Sequence, residues 1–363
     1  MATSNAINDE LQSGDGDLQI SKMATTFKIP KFWRKEKKEQ LTVRSTKFLH
    51  VFLTTMKVRE LPVELQEIAK KELNEDVDKI QDSLSLLRAW LKFQKHLKYK
   101  DDDQFLLAFL RGCKFRIETV KKKLDCYYTS RTLAPEFFTN RSPYSELVQT
   151  VLKNNIVAYY SPKLTLPTVC YCAWSHIEKI GIPLNEMMTH DFMAIDVLLN
   201  EQDSFIINGV ISILDLKDVS LKYILQCHIP TIKKYLFITQ NAFPVRVKEV
   251  HIINAPPIVY SIYKMCEVVI SEKNKKRIRI YSTEKTHQLT DAMSKVMLPN
   301  EFGGEAGSIT ELTNAWRQRI ERYTDWFKEE NKYKSIEELR AGQAKTHSDF
   351  FGLEGSFRQL SFD

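Results

Sequence analysis

The chain reads as an α/β protein: an all-helical N-terminal unit, then a mixed, mostly parallel sheet flanked by helices, with a mobile lid helix. Three observations predict this. Residues 61–131 carry apolar side chains at helical spacing, and after Pro135 and Pro143 strand-like and helix-like runs alternate. Residues 209–216 (GVISILDL) form a largely apolar run, as expected of a buried strand in a parallel sheet with helices packed on it.

Taken in order, residues 1–26 are small, polar and acidic (Asp9, Glu10, Asp15, Asp17), which predicts disorder. In residues 27–48, Phe27, Phe32 and Trp33 are interleaved with Lys28, Lys31, Arg34, Lys35, Lys37 and Lys38, a pattern that suits either a lipid interface or a solvated linker. Leu84, Leu87, Leu91 and residues 93–97 are expected on one face of a helix starting near Asn74, and Asp101, Asp102 and Asp103 place negative charge where the next helix begins. Strands are expected at 155–160, 168–174, 209–216, around Val250 and at 277–281, with helices over 184–201 and, as one long element, over 221–240. Residues 303–307 are glycine-rich and read as a turn. Ser308 and Glu311 make a capping-box pattern opening a terminal helix through Trp316, Ile320, Tyr323 and Phe327. The tail after it is expected to be extended along the surface. The resulting domains are 1–56, a basic-aromatic extension; 57–135, helical; 136–307, the sheet domain; and 308–363, a terminal helix and tail.

At 363 residues, with 43% apolar and 27% charged residues, the composition is that of an ordinary globular protein of two or three units. The net charge of +7 matters only where it is clustered. Six cysteines include no CxxC pair, which predicts free thiols in a reducing compartment; Cys170 and Cys172 alternate along a strand and face the same side. No apolar run approaches the ~18 residues of a membrane span and no secretory leader is recognisable. A cytoplasmic protein is expected.

No catalytic signature is present: no G-x-S-x-G, H-E-x-x-H, P-loop or dinucleotide fingerprint. The eight histidines are scattered, and His251 sits inside a strand as a packed residue. Asp215 ends a strand, where capping is its simplest role. Neither an enzyme, a metal site, a cofactor nor a nucleic-acid partner is expected.

The most informative stretch is 247–281. Val250, Ile252 and Ile253 form a strand closed by Asn254, Pro256 and Pro257, and a helix follows with Ile258, Ile262, Met265 and Val269 on one line and Val259, Tyr263, Cys266 and Ile270 on the next. Apolar over most of its circumference, this helix must be covered by protein, lipid or a ligand beneath it. Immediately afterwards Lys273, Lys275, Lys276, Arg277 and Arg279 cluster, an order that suits an anionic membrane surface.

The run VHIINAPPIVYSIYKMCEVVISEKNKKRI, preceded by NAFPVRVKE and followed by LPNEFGGEAGSITEL, resembles the CRAL-TRIO lipid-binding family, and within it the alpha-tocopherol transfer protein-like and retinaldehyde-binding members. The segment DQFLLAFLRGCKF at 103–115 resembles that family's N-terminal helical signature, with Arg111 on a basic position and Cys113 where a second arginine is common. The resemblance, over roughly 60–333, implies a cavity lined by Phe192, Asp196, Val210, Ser212, Leu214, Ile238, Thr239, Phe243, Val245, Val250, Cys266 and Ile270. It implies phosphoinositide head groups held by Arg246, Lys248, Lys273 and Arg277. Asp196, Glu249 and Ser282 depart from the family pattern, so the resemblance carries fold and transport class and not a tocopherol cargo. The implied function is binding and transfer of a hydrophobic molecule of tocopherol, retinoid or phospholipid type, released at phosphoinositide-containing membranes by a peripherally associated carrier. A phosphoinositide-sensing adaptor that transfers nothing is the alternative; protein partners are not implied.

Overall fold

The computed structural model describes residues 58–352 apart from residue 227, and all of them belong to one compact unit. The expectations for the first 56 residues, for Cys227 and for the last eleven residues of the tail lie outside the described residues.

Four helices come first: α1 (Val63–Leu73), α2 (Ile80–Phe93), α3 (Asp103–Gly112) and α4 (Ile117–Leu133). The helix expected from Asn74 is shorter than its apolar pattern, because Asn74 itself ends α1 in the left-handed conformation (φ 61°). Asp76 then caps a 3₁₀ turn before α2. Leu84, Leu87 and Leu91 line the buried face of α2 as their spacing requires, whereas Phe93 falls off that face and is 81% exposed. Asp102 caps α3 by accepting a hydrogen bond from the Phe105 N–H at 2.8 Å.

After α5 (Glu146–Lys153) come β1 (Val157–Tyr160), β2 (Thr168–Ala173), α6 (Leu184–Glu201), α7 (Asp203–Asn208) and β3 (Val210–Asp215). Next are α8 (Leu221–Leu225), α9 (Ile229–Asn241), β4 (Val247–Ile253), α10 (Ile258–Cys266), α11 (Glu272–Lys275) and β5 (Ile278–Ile280). The strands lie in the order β1-β2-β3-β4-β5, with β1 antiparallel to β2 and every other pair parallel. The long helix expected over 221–240 is two helices. Pro230, in the first turn of α9, has no N–H to donate and its ring excludes a helical carbonyl four residues earlier, so the chain breaks between α8 and α9.

Parallel pairing fixes which side chains share a face. Cys170, Ser212, Val250 and Ile278 are in register, as are Cys172, Leu214, Ile252 and Ile280. The intervening residues, among them Val169, Ile211, Ile213 and Ile253, point the other way and pack with Leu289, Met297 and Leu298 in a solid cluster. On the first face the main core joins α2–α4 to α6 and α9, while a smaller cluster links Leu216, Ile224, Ala255 and Val259.

The capping box opens α12 (Ile309–Glu321), with Ser308 and Glu311 bonded reciprocally. The terminal helix is interrupted at Tyr323 before α13 (Thr324–Glu330), yet Trp316, Ile320 and Phe327 are all buried. Beyond it the chain straps across the helical layer: the Ile336 N–H donates to the His96 carbonyl at 2.7 Å and the Ser335 N–H to that of Tyr128 at 3.1 Å. Arg340 and Lys345 both reach Asp125. A last short helix, α14 (His347–Phe351), sets Phe350 and Phe351 edge-on against Phe237 of α9. The tail is therefore bound through Phe351, where an extended surface segment was expected.

Gly209 makes the β3–β4 junction possible. Its φ is +84° and an added Cβ would sit 2.3 Å from the Arg246 carbonyl oxygen, which accepts the Val210 N–H at 3.0 Å. Gly209→Ala is expected to cost at least about 2 kcal/mol in urea unfolding, since it adds a strained φ to a backbone collision.

Candidate functional site

Over β3–β5 the first face of the sheet is not packed solid. A cavity of about 290 Å³ lies there. Ser212, Leu214, Val250, Ile252 and Ile278 form its floor, and Leu184 and Met188 of α6 one side. The other wall is α9, whose Ile232, Tyr235, Leu236, Thr239 and Gln240 share one helical face. Val259, Ile262, Tyr263 and Cys266 of α10, with Ile270 after it, roof the space. Among the described residues no charged side chain lines it. On the outer side of the roof Tyr260, Met265 and Val268 are exposed together with the Lys264–Glu267 pair, and Leu221 and Leu225 of α8 are exposed as well.

Of the twelve lining residues that the resemblance implies, the structure brings together six: Ser212, Leu214, Thr239, Val250, Cys266 and Ile270. The other six lie elsewhere. Phe192 and Phe243 are fully buried and stacked on each other (5.4 Å, 12°), with Phe137 and Phe138 against Phe192, so aromatic rings fill the space where lining was expected. Ile238 is one residue, about 100° of helix, away from Thr239 and points into the same core. Val210 shares the face of Ser212 and Leu214 but sits beyond the end of the cavity in the main core, and Val245 packs against that core. Asp196 is buried in an ion cluster: Arg131 Nη2 donates to both its oxygens at 2.8 and 2.7 Å, and Arg141 Nη1 to Oδ2 at 2.5 Å. Burial is the largest influence and opposes the Arg131 charge, but Asp196 together with Tyr127 and Glu330 outweighs it and raises the guanidinium pKa. Asp196 thus balances two arginines instead of meeting a ligand. Asp215 acts at the strand end, accepting from the Lys217 N–H at 2.9 Å and from Asn254 Nδ2 at 2.8 Å.

The four basic residues do converge. The Lys273 ammonium is held below the usual lysine range by burial first and then by Arg277, Lys114, Arg246 and Lys248. Burial, followed by Arg246, likewise depresses Arg277. Arg246 donates to Glu72 Oε2 at 2.6 Å and Lys248 to the same oxygen at 3.2 Å, so two of the five cations share one carboxylate. The hydrogen bond from Arg246 is the first cause that holds Glu72 below the ordinary carboxylate range. Lys114 was missed from sequence; it follows Cys113, which is buried, and a left-handed backbone (φ 55°) places it in the cluster. Arg111 contributes nothing to this patch, because Glu75 holds it bidentately at 2.8 and 2.9 Å and Asp203 at 2.6 Å.

A family model described as "CRAL/TRIO domain" matches residues 164–304, which contain the whole cavity. These residues match a CRAL-TRIO domain. A second model, "Pinta-like, UBA domain", matches residues 76–148, the helical layer. The chain is 29% identical over 262 residues to a human protein named alpha-tocopherol transfer protein-like, covering 70% of this chain and 74% of that one. It is 28% identical to the mouse protein of that name, over 71% and 74%, and 25% identical to rat Clavesin-1, over 66% and 67%. The crystal structure of Sfh5 superposes on 83% of this chain and 100% of its own at a TM-score of 0.42 and 12% identity. These matches support a lipid-binding or lipid-transfer protein.

One side chain of this CRAL-TRIO cavity joins wall, roof and basic cluster. Gln240 Nε2 donates to the Val269 carbonyl at 2.9 Å, while its Oε1 accepts from the Ser271 N–H at 3.0 Å and from Asn274 Nδ2 at 2.9 Å. Ser271 caps α11, which carries Lys273. Gln240→Ala leaves three polar groups without this partner, so amide exchange across 258–270 is expected to quicken about tenfold with β3 unchanged, read by exchange mass spectrometry. Asp196→Ala, which strands two buried guanidinium groups, is expected to lower unfolding stability by about 3–5 kcal/mol in denaturant titration.

Proposed function

We propose that this protein carries a hydrophobic small molecule in the cavity under α10 and releases it at phosphoinositide-containing membranes, with α10 as the lid. The observation that carries this reading is the sequence of surfaces. A lining without charge among the described residues leads through Gln240 to a cluster of five cations, two of which hold Glu72.

Affinity is readily available. Burying ~400 Å² of apolar ligand surface is worth on the order of 10 kcal/mol. Association costs of ~4 kcal/mol or more still leave useful binding. Release is the harder step, because a surface opens a lid only by preferring the open state. Exposed Tyr260, Met265 and Val268 supply an apolar contact with the bilayer interior, and the cations supply head-group contacts. Arg246, Lys248, Lys273 and Arg277 hold the polyanion, Lys114 joins them, and Glu72 keeps the empty cluster together. The protein then works as a peripheral membrane carrier and performs no catalysis.

The test is transfer of a fluorescent hydrophobic ligand from loaded protein to acceptor vesicles. Replacing Lys273 and Arg277 by Gln is expected to slow delivery to phosphoinositide vesicles at least about tenfold, at ~1 kcal/mol per cation, with ligand capture intact. Equal delivery by the variant removes the release step, and head-group binding without any transfer favours a sensing adaptor.

A further inference from the structure

Arg246 holds two groups from separate parts of the chain. Its Nη2 donates to Glu72 Oε2 at 2.6 Å and its Nη1 to the Ile207 carbonyl at 2.5 Å, while Lys248 Nζ reaches the same Glu72 oxygen at 3.2 Å. Glu72 lies in the last turn of α1 and keeps 41% of its side-chain surface in water. The apolar face of α1 is fastened lightly: Leu65, Ala69 and Leu73 join Leu61 and Ile207 in a small cluster apart from the main core. Arg246 therefore ties the end of α1, together with Ile207, to the start of β4. The turn that follows α1 is anchored differently, through Glu75 held bidentately by the buried Arg111.

Glu72 occupies only half of the cationic cluster. Arg277 donates to the carbonyl of Val247, the residue between Arg246 and Lys248, and its own carbonyl accepts from the Val250 N–H at 2.9 Å. Those two bonds set the second group of cations beside the first, with Lys273 four residues before Arg277. Among the described residues no carboxylate pairs with Lys114, Lys273 or Arg277.

We propose that Glu72 is a built-in competitor for the head group. A polyphosphorylated inositol ring fills the half formed by Lys114, Lys273 and Arg277, and a further phosphate displaces the Glu72 carboxylate from Arg246 and Lys248, freeing the end of α1. This rests on the phosphoinositide reading of the cluster and adds a way for the helical layer to register that the cluster is filled. Carboxylate and phosphate oxygens compete for the same guanidinium and ammonium donors, and the phosphate brings more charge and more acceptor oxygens. A half-exposed ion pair contributes little and gives way to a stronger anion, whereas the buried Glu75–Arg111 pair stays closed. Head groups with a single phosphate fill the open half and leave Glu72 in place.

Full-length protein is titrated with neutral vesicles, with vesicles of equal total charge carrying phosphatidylinositol bisphosphate or monophosphate, and with soluble inositol trisphosphate. Glu72→Gln is compared with Glu67→Gln, which removes the same charge from an exposed position of α1. Glu72→Gln is expected to tighten binding of bisphosphate vesicles and of inositol trisphosphate about fivefold, and of monophosphate vesicles less than about twofold. Glu67→Gln is expected to stay within about twofold throughout. Bisphosphate is also expected to quicken amide exchange over residues 63–73 of the unsubstituted protein at least about threefold, a rate that Glu72→Gln shows before any ligand is added. Should Glu72→Gln fail to fold, Glu72→Asp, which draws the carboxylate back by one methylene, is expected to shift affinity in the same direction. Equal gains from both glutamine variants, no gain from Glu72→Gln, or a gain for vesicles with none for inositol trisphosphate overturns the competitor and leaves the docking site standing. Unsubstituted protein that binds bisphosphate vesicles no better than neutral ones overturns the docking reading itself.

Discussion

A parallel sheet must be covered on both faces, and here the two coverings differ in kind. Ile211, Ile213 and Ile253 meet Leu289, Met297 and Leu298 directly, so that face is closed by the chain's own side chains. On the other face the stack of Phe192 on Phe243 fills the region beside β2 and β3, but over β3–β5 the helices stand off and α10 bridges the gap. The cavity is what remains when one face is covered by a span instead of a packed layer. Its apolar lining follows from the constraint that the same strands would otherwise bury those residues in protein.

Charge is sorted around this space in three zones with different physics. Asp196 with Arg131 and Arg141 is almost completely buried and paired within itself, with the Nε of each arginine left without a hydrogen-bond partner among the described residues, so it binds α4 to α6 without offering anything to a guest. The cluster around Lys273 is half-exposed and overloaded with like charge, visible as the depressed basicity of Lys273 and Arg277. Between them, Asp191 is satisfied by tyrosine hydroxyls alone and is pushed toward its neutral form.

The strands, their order of appearance and the helix at 184–201 were legible because period-two and period-3.6 patterns survive burial. Pro230 marks the break between α8 and α9, and Asn74 the end of α1, but both sit inside apolar patterns that run past them. For the cavity, the resemblance named Ser212, Leu214 and Val250, which share one face of β3 and β4, and strand alternation extends that face to Ile252 and Ile278. On α9 the period from Thr239 leads back to Tyr235 and Ile232, whereas Ile238 lies off that face. What sequence could not supply was depth along the strand, which left Val210 beyond the cavity, or the arginine partners that take Asp196 out of it. Lys114 was hidden for a related reason: a positive φ at a lysine is a property of the folded turn and not of its spacing.

Gln240 has a thermodynamic corollary. Its amide faces the cavity while fastening the residues that lead into the cationic cluster, so on the proposed function cargo and polyanion would each act on one shared set of hydrogen bonds. Coupling free energy between two sites is reciprocal. On that proposal, whatever factor a head group takes from the grip on the guest, the guest takes from the grip on the head group, and a loaded and an unloaded carrier would differ in how long they dwell on a bilayer.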